Sequence, residues 1–116
     1  MGQAVLIVDD QASFRRLARA LLEADGFEVI GEAADGTAAV QAVDALAPDV
    51  VLIDVRLPDR SGIDVARELR ATSSPPAVVL TSTADYAHAA DGCGAAGFIP
   101  KGRLSGPALR AHLGPT

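Results

Sequence analysis

Four short apolar runs in this chain stop at polar residues, and that repeated pattern restricts the fold more than any other feature of the sequence. Val5-Leu6-Ile7-Val8 ends at Asp9-Asp10, Val50-Val51-Leu52-Ile53 at Asp54, Ala77-Val78-Val79-Leu80 at Thr81, and Gly97-Phe98-Ile99 at Pro100-Lys101. Continuously apolar, partly β-branched runs of this length suit strands buried on both faces, as in a parallel sheet covered by helices. The run ending at Asp54 is the most apolar and is expected at the sheet centre. A further strand is read over Phe27 to Ala33, where Glu28 and Glu32 give the mixed polarity of an edge or near-edge position.

Helical patterns fill the intervals. Phe14, Leu17, Ala18, Leu21 and Leu22 recur at helical spacing with Arg15, Arg16, Arg19 and Glu23 between them, before Gly26 ends the segment. Asp35 is placed to cap a helix over Thr37 to Ala47, with Val40, Val43 and Leu46 on one face and Pro48 beyond. The Arg56-to-Ser61 stretch reads as a loop, and Ser61 with Asp64 resembles a capping box for a third helix buried through Ile63, Ala66 and Leu69. A fourth helix is expected from near Ala84, short because Gly92, Gly94 and Gly97 crowd its end. Ser105 caps the last helix, with Pro107 in its first turn and Leu104 and Leu109 as a hydrophobic staple, before it runs out at Gly114-Pro115-Thr116.

Strands alternating with helices in this way describe an α/β domain, a doubly wound five-stranded parallel sheet flanked by five helices. With 116 residues, one domain spanning residues 1–116 is the expectation. Hydrophobic residues make up 49% of the chain and aromatics 3%, so the core is built from Val, Leu, Ile and Ala. The net charge of -5, with no run of Lys or Arg, argues against direct contact with nucleic acid or an anionic membrane. No apolar run approaches the roughly 20 residues of a membrane span. Cys93 has no partner for an internal disulfide and no signal-peptide pattern opens the chain, so a cytoplasmic location is expected. His88 and His112 have no Cys or carboxylate at metal-ligand spacing and read as surface residues.

In an open doubly wound sheet the carboxyl ends of the strands share one edge, where ligands bind. Asp9, Asp10 and Asp54 therefore converge, and three such carboxylates make sense around a hard cation such as Mg2+ or with a raised pKa on one member. Lys101 adds a mobile positive charge and Thr81 a hydroxyl, both suited to the oxygens of a phosphoryl group carried on a carboxylate.

Taken in order, Val8-Asp9-Asp10, Asp54, Leu57-Pro58-Asp59 with Ser61-Gly62, Thr81-Ser82 and Phe98-Ile99-Pro100-Lys101 resemble the receiver domains of bacterial response regulators over nearly the whole chain. The resemblance implies a flavodoxin-like fold with strand order 2-1-3-4-5. It makes Asp54 the nucleophile and phosphoacceptor. Mg2+ is then held by Asp9, Asp10, Asp54 and the backbone carbonyl of Arg56, while Thr81 and Lys101 bind the phosphoryl oxygens. Phe98 matches the family's switch aromatic, which follows the Thr81 hydroxyl inward, although an aromatic here also suits plain core packing. Arg56 and Thr83 occupy positions that influence phosphate lifetime in the family, or are simply exposed loop residues. The implied partners are a sensor histidine kinase or phosphotransfer protein, a downstream effector or output domain, and a homodimer formed on phosphorylation.

Two features depart from the family pattern. Gly102 follows Lys101 where a proline is usual, and the fourth helix is unusually rich in glycine at its end. Other functions fit less well. A flavodoxin-like small-molecule binder needs a Ser-, Thr- or Gly-rich loop after the first strand, where Asp9-Asp10-Gln11 stands. A haloacid-dehalogenase-type phosphatase needs a second Asp two residues beyond a nucleophile at the first strand. A receiver reduced to a protein-binding module would not need the intact acidic trio, threonine and lysine.

Overall fold

A computed structural model describes residues 2–113. Among these residues the strands are β1 (Ala4–Val8), β2 (Glu28–Ala33), β3 (Val50–Asp54), β4 (Ala77–Ser82) and β5 (Gly97–Pro100). They form one parallel sheet in the order β2-β1-β3-β4-β5, the order implied by the resemblance. The helices are α1 (Ala12–Ala24), α2 (Gly36–Leu46), α3 (Gly62–Arg70), α4 (Ala87–Cys93) and α5 (Gly106–Ala111), with a short 3-10 turn over Lys101–Arg103. β3 is central and buried at every residue, whereas β2 lies at an edge with Glu28 and Glu32 exposed.

Strand alternation divides the core in two. Leu6, Val8, Val51, Ile53, Val78 and Leu80 face one layer together with Ala39, Val65 and Leu69. Val5, Ile7, Val50, Leu52, Val79 and Ile99 face the other with Ala18, Leu22 and Leu109. Burying such aliphatic side chains contributes roughly 1.5–3 kcal/mol each against a comparable conformational entropy cost, so both layers are needed to hold the sheet. No helix among the described residues is long and apolar enough to cross a membrane.

The caps follow the sequence closely. Asp35 accepts from Ala38 N at 2.7 Å, Ser61 from Ile63 N at 3.1 Å and Ser105 from Ala108 N at 3.0 Å, each satisfying a helix-start N–H. The capping box at α3 is half formed, because Asp64 pairs with Arg67 at 3.2 Å. Leu104 and Leu109 are both buried, as a staple requires.

Several expected positions differ. Leu17 is 54% exposed, since it lies one residue, about 100° of turn, from the buried Ala18. Leu46, at the end of α2, sits over Gly31 of the edge strand, which has no side chain to cover it, and is 43% exposed. In α3 the arc facing the sheet carries Gly62, Val65, Ala66 and Leu69, leaving Ile63 only half buried. α4 starts at Ala87 rather than near Ala84 because Ser82 Oγ accepts from Ala84 N at 3.1 Å, turning the chain before the helix begins. The expected run-out at Gly114-Pro115-Thr116 lies outside the described residues.

Candidate functional site

The sheet register brings the strand ends together. Asp54, the last residue of β3, lies opposite Thr81 of β4, and Thr81 lies opposite Ile99 of β5, two residues before Lys101. The next peptide extends the lattice, with Val55 N donating to Thr81 O at 2.9 Å. On the other flank Asp9 N donates to Ala33 O at 3.0 Å, so the backbone of the acidic residue after β1 is held by β2.

Asp9, Asp10 and Asp54 each present a carboxylate oxygen, and these oxygens lie within 4.8 Å of one another. Asp9 and Asp54 are buried, while Asp10 faces solvent. Lys101 Nζ stands 2.7 Å from Asp9 Oδ2 and 3.1 Å from Asp54 Oδ2. Burial opposes the lysine charge, but hydrogen bonds and charge attraction from Asp9 and Asp54 outweigh it and raise its pKa. One ammonium facing three carboxylates leaves negative charge uncompensated in a partly desolvated cleft.

The remaining oxygens are unequally satisfied. Asp9 Oδ1 accepts from Gln11 N at 2.8 Å and Asp54 Oδ1 from Arg56 N at 3.1 Å. Asp9 Oδ2 is buried and accepts no hydrogen bond of regular geometry despite its ion pair with Lys101. The atom is thus already paired with a cation, and a buried carboxylate oxygen that faces positive charge can also serve as a metal ligand. The oxygen-only donor set suits a hard divalent ion. These residues fit Mg2+.

The supporting residues include several that the sequence did not reveal. Arg15 Nη1 donates to the Asp9 carbonyl at 2.7 Å, and its Nε donates to Glu32 Oε1 at 2.9 Å. Burial alone would raise the Glu32 pKa, but Arg19 and Arg15 more than offset it and lower it. Lys101 Nζ also lies 4.6 Å from the centroid of the Phe14 ring. Asp59, in the loop after β3, accepts from Gly36 N at 2.8 Å and from Thr37 N and Oγ1 at 2.9 Å. It is a second cap on α2, donated from another element. The only local hint was the turn chemistry around Asp59.

Thr81 is buried, while Arg56 and Thr83 are exposed. Phe98 is half buried against the α3–α4 layer, and its ring meets the Tyr86 ring edge-on at 6.5 Å between centroids. Tyr86 and Arg56 also line a cavity of about 330 Å³ with Val55, Leu57, Arg60, Ser61 and Ile63, next to the loop that follows Asp54. His88 is exposed and away from the acidic trio, and Cys93 is buried in α4.

Known proteins resemble this chain in sequence and in fold. The DNA-binding response regulator MtrA of Mycobacterium tuberculosis is 48% identical over 87 residues, covering 73% of this chain and 37% of that protein. The transcriptional regulatory protein PdtaR of the same species is 39% identical over 99 residues, covering 84% of this chain and 48% of that protein. The matched stretch thus spans less than half of either relative. The signal receiver domain of NarL from Mycobacterium tuberculosis superposes with a TM-score of 0.87 at 34% identity, covering 98% of each chain. The response regulator receiver domain family itself matches residues 5–112. With its sheet order and these relatives agreeing, the chain belongs to the response regulator receiver domain family of two-component systems.

Proposed function

We propose that Asp54 accepts a phosphoryl group from a phosphohistidine on a sensor kinase or phosphotransfer protein, and that the domain changes conformation in response. The observation that carries this reading is the ion-pair cluster at the strand ends, in which Lys101 spans the buried Asp9 and Asp54 beside the solvent-facing Asp10.

An Asp54 carboxylate oxygen attacks phosphorus as the bond to the donor histidine nitrogen breaks, giving an acyl phosphate on Asp54 and a free imidazole on the donor. Mg2+ held by Asp9, Asp10, Asp54 and the Arg56 carbonyl would neutralise the charge that develops between phosphoryl oxygens and carboxylates. The Lys101 ammonium and the Thr81 hydroxyl bind phosphoryl oxygens as the new bond forms and in the product. Thr81 moves toward the group it binds, and Phe98 follows into the space released, which changes the surface of β5 and α4. The output is an effector or an attached output domain, reached in a cytoplasmic setting, with homodimerisation on phosphorylation as one route. The acidic balance of the chain supports a role without direct nucleic-acid contact.

The test is incubation with acetyl phosphate and Mg2+ followed by intact mass measurement. Wild type gains one phosphoryl group, whereas Asp54→Asn and chelator-treated wild type gain none. Equal labelling of Asp54→Asn, or labelling undiminished by the chelator, overturns the assignment.

A further inference from the structure

We infer that Phe14 is a positioning residue for Lys101, its ring face holding the ammonium over the acidic trio through a cation–π contact. This inference rests on the function proposed for Asp54 and Lys101.

A lysine side chain carries about 2 kcal/mol of rotamer entropy, so something must select its docked conformation. The local backbone does little of this. Lys101 opens the 3-10 turn at Lys101–Arg103, and the following Gly102 is exposed, with open space where a Cβ would stand. Glycine permits many backbone angles and enforces none. Even so, the Lys101 side chain is only 12% exposed and reaches both Asp9 and Asp54. What surrounds it supplies the direction.

Phe14 is well placed to do so. It sits in the first turn of α1, where its N–H donates to Gln11 O at 3.1 Å, and its side chain packs half-buried against the core layer containing Leu22, Ile99 and Leu109. The ammonium lies 4.6 Å from the ring centroid, inside the roughly 6 Å within which ring faces attract cations. The ring also differs chemically from the other two partners. Asp9 and Asp54 are themselves cation ligands in the proposed site, so an incoming metal competes with Lys101 for their oxygens. A neutral ring does not take part in that competition. It retains the ammonium beside Asp54 while leaving its N–H groups free to meet phosphoryl oxygens.

The experiment replaces Phe14 with phenylalanines carrying one, two and three ring fluorines, which nearly preserve shape while draining the negative face, and with Leu and Tyr. The first readout is the ring-current shift of the Lys101 ε-methylene protons in metal-free protein, which needs no phosphorylation. That shift should be present in wild type and in F14Y and lost in F14L. The second is the acetyl phosphate labelling rate at saturating Mg2+, which should fall stepwise with each fluorine to a total of about 2- to 5-fold, the rate equivalent of about 0.5–1 kcal/mol. A flat fluorine series beside a slowed F14L would mean that the ring only fills space, and an unchanged ε-methylene shift in F14L would mean there is no contact. Either result overturns the inference. Failure of the acceptor assignment shows separately, as labelling of Asp54→Asn.

Discussion

The walls on either side of the Asp54–Thr81 pair are built to different standards. On one side, the loop between β3 and α3 is tied at every step. Gly62 N donates to Val55 O at 2.8 Å, Ser61 caps α3, and Asp59 clamps the start of α2. On the other side α4 has seven residues, a start held by the exposed Asp85, whose Oδ1 accepts from Ala87 N at 3.0 Å, Gly92 within it, and Gly94 at φ 80° closing it. Helices this short are marginal unless tertiary packing holds them, and α4 buries only Ala90 and Cys93. On the function proposed above, the acceptor must be held still while the surface that reports its state must move, and the contrast would divide those duties between the two walls.

The strongest way to break the contrast is Gly62→Ala. A Cβ at Gly62 would run into the Asp54 carbonyl oxygen, and backbone at the end of a central strand cannot yield cheaply. We expect a loss of about 3 kcal/mol in urea unfolding, the upper part of the usual overpacking range. A variant as stable as wild type would show that the loop after Asp54 has slack and that the rigid wall is not rigid.

Asp59→Ala probes the same wall through α2, with an intermediate effect that depends on pH. The Gly36 and Thr37 N–H groups push the Asp59 pKa down to about 2 from an ordinary 3.8. A carboxyl lowered in the folded state binds fewer protons there than in the unfolded chain. Its contribution is therefore complete above the unfolded value and lost as pH falls toward about 2. The urea midpoint of the variant should lie below that of wild type at pH 7, and the gap should narrow progressively below pH 4. A gap unchanged down to pH 2 would mean that the cap does not act through its charge.

The two walls were also unequally legible in the sequence. β3 announced itself because an apolar run meeting Asp54 is a local pattern, and strand order then placed Thr81 beside it. The shortness of α4 followed from Gly92 and Gly94, whose cost in a helix is also local. Asp59 was different. Its neighbours Pro58 and Arg60 say only that a turn is present, whereas its partners Gly36 and Thr37 depend on how α2 docks. Phe14 was hidden for the same reason, since it lies in an amphipathic stripe where an aromatic ordinarily fills core, and its second role arises only when β5 delivers Lys101 beside it. Leu17 shares that stripe and is exposed, so periodicity alone could not separate the two.

The smallest expected effect sharpens the contrast from the loose side. Gly92 lies within α4 and is exposed, with nothing within 4 Å of the place a Cβ would take, so Gly92→Ala meets no obstacle and gains about 0.5–1 kcal/mol in helix propensity. The same substitution that damages the wall at Gly62 should stabilise this one. If the looseness of α4 comes from this residue, amide exchange across Ala87–Cys93 should slow by about 2- to 5-fold in the variant, the rate equivalent of that gain. The beryllofluoride mimic of the phosphoryl group should then add less protection there than it adds in wild type, because part of the ordering has been supplied beforehand. Equal exchange in the two free proteins would place the looseness elsewhere, in the first turn, where the side-chain bond is the one from Ala87 N to the exposed Asp85. Slower exchange combined with an undiminished response to the mimic would separate ordering from switching and leave displacement of Phe98 to carry the signal.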